Sequence, residues 1–376
     1  MMSKKNICIG LLGILLSSGV MADALVSISG NALSGISMIK QKKGQSFRGQ
    51  FESAANITIG LKYTEEIDAD FDLALGNEKN ALGFENGVGF ARYRLNYRPN
   101  AISHTSFTLG STVVPFGQFA ESQTRNAAIS SPFMANDLGY TLFALNNPLN
   151  RFQSNGVKTT SITPYGTVNA MVFNGTDGSD TNTDKGMGLA LRYMVDSENK
   201  EVQSIIGDSI KDTTVGVSFL SSNDHGNADG INANILAVML DLKTVYEGIE
   251  FGSYFSKINL DDRDSSTKDG VTAFMIYASK TLSGYFKHGY TIAGRYSITQ
   301  PDEYNGSGTG ITALLPNLGL SNKNVSDADS TRLQLSGILH VNDDINIHNE
   351  LILDIYGKNL TDYNNTGLLS YVSLTF

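Results

Sequence analysis

Ala91-Arg92-Tyr93-Arg94-Leu95-Asn96-Tyr97-Arg98 alternates without a break, with Ala91, Tyr93, Leu95 and Tyr97 on one side and Arg92, Arg94, Asn96 and Arg98 on the other. Successive side chains of a strand point to opposite faces, whereas a helix would spread these residues around a 3.6-residue turn. The octet is therefore predicted to be a strand with one apolar, aromatic face and one charged face. A strand with lipid on one side and water on the other has this character.

The same period recurs along the chain. Ile57, Ile59, Leu61 and Tyr63 alternate with Thr58, Gly60 and Lys62, and Met187, Leu189, Leu191 and Tyr193 with Gly188, Ala190 and Arg192. Leu333, Leu335 and Leu339 oppose Arg332, Gln334 and Ser336, and Leu351, Leu353 and Ile355 oppose Glu350 and Asp354. Scoring segments of about ten residues for this period predicts sixteen strands, at 24–38, 50–63, 67–75, 88–98, 103–113, 153–161, 165–174, 186–195, 212–220, 231–241, 246–258, 271–280, 288–298, 331–341, 345–356 and 368–376. Those at 231–241 and 271–280 are apolar on both faces, so the period does not orient them.

The connections alternate as well. After odd-numbered strands they are long and polar (39–49, 76–87, 114–152, 175–185, 221–230, 259–270, 299–330 and 357–367). After even-numbered strands they are mostly short, as at Thr64–Glu66, Pro99–Ile102, Ile162–Pro164 and Asn342–Asp344. Short turns at one end and long loops at the other mark a transmembrane barrel with both termini on the short-turn side; a soluble sandwich has no reason to keep that parity. The connection at 196–211 breaks it, and either a short helix or a miscounted strand would explain the exception.

Residues 1–22 carry Lys4 and Lys5, an apolar run from Ile7 to Val20 and a Val20-Met21-Ala22 small-residue site, which together read as a secretory signal peptide. The division is then 1–22 signal peptide and 23–376 barrel, with Cys8, the single cysteine, in the removed part. The mature chain is thereby left without disulfides or a thiolate metal site. Removing Lys4 and Lys5 from 28 basic residues leaves 26 against 37 acidic, a formal charge of −11, which makes nucleic acid a poor partner. Beyond the signal no run reaches the roughly 18 apolar residues of a membrane helix.

The longest inner connection, 114–152, opens with Val114-Pro115-Phe116-Gly117 and holds only Glu121, Arg125, Asp137 and Arg151 as charges. Its apolar content, including Phe116, Phe119, Phe133, Met134 and Tyr140, suits a segment packed against something. It is expected to fold into the barrel as a constriction, with Phe116, Phe119, Phe133 and Tyr140 as anchors and Glu121 and Arg125 facing the passage. A place over the rim or at a subunit interface is the alternative.

The final strand, Leu368 to Phe376, puts Leu368, Val372, Leu374 and Phe376 on one face. Together with the signal peptide, the sixteen strands and the long connection after strand five, this terminal aromatic makes the chain resemble the Gram-negative outer-membrane porins. Its strand-then-Val-Pro-Phe-Gly element is similar to the entry to the constriction loop of the phosphate-selective type. The resemblance implies an all-β transmembrane antiparallel barrel in the outer membrane, forming a homotrimer in contact with lipid and lipopolysaccharide and passing small hydrophilic solutes or ions. A closed barrel serving as adhesin or receptor through its long loops, with Asn305 to Gly310 in the 299–330 loop, is the competing function.

Charged residues on the polar faces are the candidate pore lining. Asp68, Asp70 and Asp72 share one face of strand three; a pairing of Asp72 with Arg92 sets Asp70 against Arg94 and Glu66 against Arg98. These form either a salt-bridged wall or, with Lys62, Arg192, Arg295 and Arg332, a charge lining that sets ion preference. Acids in the long connections (Asp177, Asp180, Asp184, Asp224, Asp229, Asp261, Asp262, Asp264) oppose an anion preference. Asp177 to Asp184 with Asn182 lacks the full pattern of a Ca²⁺ loop, and a solvated loop is the expectation. No cofactor, metal site or catalysis is expected: His104, His225, His288, His340 and His348 are scattered, and Ser336 and His340 on one strand face stand too far apart for a tight contact.

Overall fold

In the computed structural model, residues 25–40, 48–76, 87–102, 104–117, 153–174, 187–196, 204, 211–223, 233–262, 268–284, 288–301, 330–356 and 365–376 are described. They form sixteen antiparallel strands, β1 Leu25–Lys40, β2 Arg48–Lys62, β3 Ile67–Gly76, β4 Gly87–Tyr97, β5 Thr105–Val113, β6 Gln153–Thr163, β7 Gly166–Phe173, β8 Met187–Asp196, β9 Lys211–Asn223, β10 Ala233–Tyr246, β11 Ile249–Asp262, β12 Lys268–Leu282, β13 Tyr290–Pro301, β14 Ser330–His340, β15 Ile345–Tyr356 and β16 Asn365–Thr375. Each pairs with its sequence neighbours, and β1 pairs with β16 to close the barrel. Gly30 and Phe376 exchange backbone hydrogen bonds of 2.8 and 3.0 Å at that seam. Closure leaves no strand edge without a backbone partner.

All sixteen predicted strands are present. Around 196–211, β8 and β9 pair directly from Met187↔Asn223 to Asp196↔Thr214, so the strand count stands; of the intervening residues only Ser204 is described, and it is helical. Several boundaries differ from expectation, most of all around β10, β11 and β12. β10 continues to Tyr246 and meets β11 through Glu247-Gly248, whose φ angles of 49° and 73° are both positive, as the tightest hairpin turn requires. β11 and β12 extend to Asp262 and from Lys268, so most of the expected 259–270 loop is strand. A register shift between Asp72 and Leu73 leaves Ala91 as the extra residue of a bulge, with Phe90 instead of Ala91 opposite Leu73.

The outward face is apolar on strand after strand: Leu95, Leu189, Leu333 and Leu353 are exposed there. Ile57 and Ile59 are half-buried on the same face, Ile59 paired with the exposed Ile28. The two unoriented strands also resolve. β10 turns Leu236, Val238, Leu240 and Leu242 outward and β12 turns Phe274 and Ile276 outward. At the short-turn end the outward face carries exposed Tyr63, Tyr97, Tyr193, Tyr246, Phe251 and Phe376, with Tyr97 stacked on Phe107 at 6.4 Å. An apolar band bordered by an aromatic girdle is the outer surface of a barrel built for a bilayer, and it greatly exceeds the apolar patches that soluble proteins leave bare.

Candidate functional site

Val113 is the last residue of β5, and the next four residues turn off the wall. Pro115, with φ fixed by its ring, sits at the centre of a tight turn in which Phe116 N–H donates to the Val114 carbonyl at 2.8 Å. Gly117 follows at φ 83°, a left-handed conformation that favours glycine. Its N–H donates to Ser218 Oγ at 3.0 Å. Ser218 lies on the inner face of β9, three strands beyond the neighbour of β5, so this bond carries the chain inside the barrel past β6, β7 and β8. Val114 and Phe116 are fully buried; Phe116 is one of the four residues expected to anchor the segment. Phe119, Glu121, Arg125, Phe133 and Tyr140 lie outside the described residues.

Ser218 belongs to a cluster that spans three strands. Arg192 on β8 donates from Nη1 to Ser218 Oγ at 2.8 Å and binds Asp241 on β10 through both nitrogens, Nη1 to Oδ2 at 2.5 Å and Nη2 to Oδ1 at 2.8 Å. The pair reaches across β9 at Gly216, where any Cβ would overlap the guanidinium and the carboxylate. Both side chains are buried, at 4% exposure for Arg192 and 0% for Asp241. Arg192 therefore faces inward as expected, but it is locked to an acid instead of standing in open water.

The β2–β4 wall is different. Asp72 pairs with Arg92 and Asp70 with Arg94 in the backbone register expected, and the side chains of Arg94 and Asp70 approach to 3.4 Å while both stay about a quarter exposed. Arg98 ion-pairs with Asp68 on the diagonal, and not with Glu66, whose carboxylate accepts from Asn100 N–H at 3.1 Å. The reason is the strand ending: Glu66 lies in the turn before β3, with its carbonyl bonded to Arg98 N–H and its side chain turned to the 3₁₀ turn Asn100–Ile102. Asn96 bridges Asp68 and Asp70 at 2.6 and 3.1 Å, and Asp72, almost fully buried, accepts from Thr58 Oγ1 at 2.7 Å. Lys62 sits at the short-turn rim, paired with Glu65 at 2.8 Å.

Arg295 and Arg332 face inward and are buried. Beside them on β14 and β15, Gln334 donates to Glu350 at 3.0 Å, and the Tyr371 hydroxyl donates to the same carboxylate at 2.8 Å. Asp241 and Ser218 are inner-wall residues that the sequence did not single out, while Glu350, expected on the polar face of its strand, was not among the candidate lining residues. Asp241 carried a signal, since it and Lys243 are the two charges in β10 and both alternate with the leucines Leu240 and Leu242. Ser336 and His340 form no contact: His340 engages Asn346 at 2.6 Å and Thr291 at 2.8 Å. Asp177–Asp184 lies outside the described residues.

No protein-family model and no curated relative matches the sequence. Solved structures do. The anion-selective porin of Comamonas acidovorans superposes with a TM-score of 0.62 over 94% of this chain and 100% of its own, at 10% identity. The chain has the porin fold. OmpF of Salmonella typhi gives a TM-score of 0.60 at 11% identity, over 93% of this chain and 97% of its own. OmpT of Vibrio cholerae, in a trimer form, gives 0.59 at 11%, over 94% and 99%. The porin fold thus accounts for the whole described barrel.

Proposed function

We propose that the protein is an outer-membrane porin, a homotrimer whose water-filled channel passes small hydrophilic solutes or ions and is narrowed by the 114–152 segment. The carrying observation is the inward departure of the chain at Val113–Gly117 and its hydrogen bond to Ser218. Two further features support it. A sixteen-strand barrel is wide enough for an aqueous passage. The inner wall also bears a buried apolar stripe, including Met171, Leu220, Met239, Met275 and Ile352, which water alone would not favour. The sequence of 118–145 is rich in apolar residues, and irregular backbone at membrane depth is tolerated only inside protein or along a water-filled cavity.

The inward charges then divide between those open to the passage and those held in the wall. Asp68, Asp70, Arg94 and Arg98 are the lining in reach of solute, with Arg92 beside them on β4 and Glu121 and Arg125 contributed by the segment. Arg192 is part of the wall. Outer-membrane lipid and lipopolysaccharide surround the apolar band, and no step of chemistry is assigned to the protein.

The test is single-channel recording of the refolded mature chain in a planar bilayer. Stepwise conductance that scales with bath conductivity is the expected result. A barrel that inserts and stays closed would overturn the channel and leave the long loops as the functional surface.

A further inference from the structure

Arg192 and Asp241 pose a physical problem, because taking two charges out of water costs several kcal/mol per ion and an apolar pair of equal volume is often no less stable. Their geometry offers a reason for keeping them. Arg192 Nη1 divides between Asp241 and Ser218 Oγ, and that same oxygen accepts the Gly117 N–H. A serine oxygen has two lone pairs to offer, and both are engaged here, one by the wall and one by the entering chain. Gly216 leaves the space over β9 through which Arg192 reaches Asp241.

We propose that Asp241, Arg192 and Ser218 form a latch that fixes Gly117, the point where the chain leaves the wall, and so set the position of the constriction. Each has a distinct part. Ser218 touches the entering backbone, Arg192 orients the Ser218 hydroxyl, and Asp241 holds Arg192 while cancelling its charge. The three are positioning residues, and Arg192 contributes little to ion preference because its field is neutralised at contact distance. The latch rests on the constriction proposed above.

The experiment records wild type, Ser218→Ala, Asp241→Asn and a deletion of residues 120–135 in planar bilayers, after each has been checked for the heat-resistant folded form. Ser218→Ala leaves the ion pair in place and carries the test by itself if Asp241→Asn fails to fold. The expected result is loss of the single open level in Ser218→Ala, replaced by several levels and a noisier current, with unchanged reversal potential and an unchanged melting transition. Asp241→Asn should show the same instability together with a reversal potential moved towards anions, as Arg192 gains a net charge. A general loss of barrel stability would move the melting transition without creating new conductance levels, and that result overturns the latch. If the deletion raises conductance while Ser218→Ala keeps one wild-type level, the latch is wrong and the constriction stands. Wild-type conductance in the deletion variant would overturn both.

Discussion

The β2–β4 wall and the β8–β10 wall both place arginine and aspartate on their inner faces, yet they hold them in opposite states. Arg94 and Asp70 are about a quarter exposed at 3.4 Å, and the Arg98 side chain is 52% exposed. Arg192 and Asp241 are sealed and doubly hydrogen-bonded. What differs is the neighbour. On β4 Arg94 and Arg98 face acids on β3, directly across or one step diagonal, and water reaches both pairs. On β8 the base must cross β9 to find its acid, over Gly216 and under the chain that enters at Gly117. An arginine on the inner face of a barrel is thus either a field for ions or a strut, and the strand beside it decides.

Stability should separate the two walls most strongly. Replacing Asp241 with Ala leaves a buried guanidinium without its partner, a change that costs roughly 3–5 kcal/mol. Replacing Arg98 with Gln removes an exposed pair worth about 0–1 kcal/mol. Urea unfolding of both variants in the same detergent checks the difference, and equal midpoints would mean that water reaches Arg192 as freely as Arg98.

The outward face of β8 offers the next largest effect. Arginine at Leu189 would stand in the apolar band one residue from Ala190, which is inward and fully buried; at bilayer mid-depth the cost is roughly 2–4 kcal/mol. Unfolding from lipid vesicles measures it. A neutral outcome at Leu189 would reverse the facing of β8 and with it the inward placement of Arg192.

The smallest expected effect is electrical. Neutral residues at Arg92, Arg94 and Arg98 together should move the reversal potential towards cations, since charges lining open water set ion preference. An unchanged potential would show that the acids opposite already cancel them, and the β2–β4 wall would then resemble the β8–β10 wall in function as well as in composition.

The barrel was legible because lipid and water on the two sides of a strand impose a period of two, and β4, β8, β14 and β15 keep it over most of their length, with Ile352 and the bulge at Ala91 as departures. It faded where that contrast weakens. β10 sets Ile235 and Met239 inward against Leu236 and Leu240 outward, so the inner face is marked only towards its end, by Asp241 and Lys243. Asp261 and Asp262 read as loop because strands that pass the apolar band meet water on both faces and lose the alternation. The bulge at Ala91 has no local signature. In the site, the Asp72–Arg92 and Asp70–Arg94 pairings followed from register alone. The Arg192–Asp241 pair lies 49 residues apart in sequence and skips a strand, so no reading of adjacent segments could join them.

Whether the 114–152 segment narrows the channel is decided by the conductance of the protein after removal of residues 120–135. The shortened protein keeps Val113–Gly117 and every strand, so it should still assemble. The expected result is folded trimers with larger single-channel conductance and passage of larger solutes. Trimers that fall apart while conductance per channel stays at the full-length value would place the segment at a subunit interface and rule out the constriction.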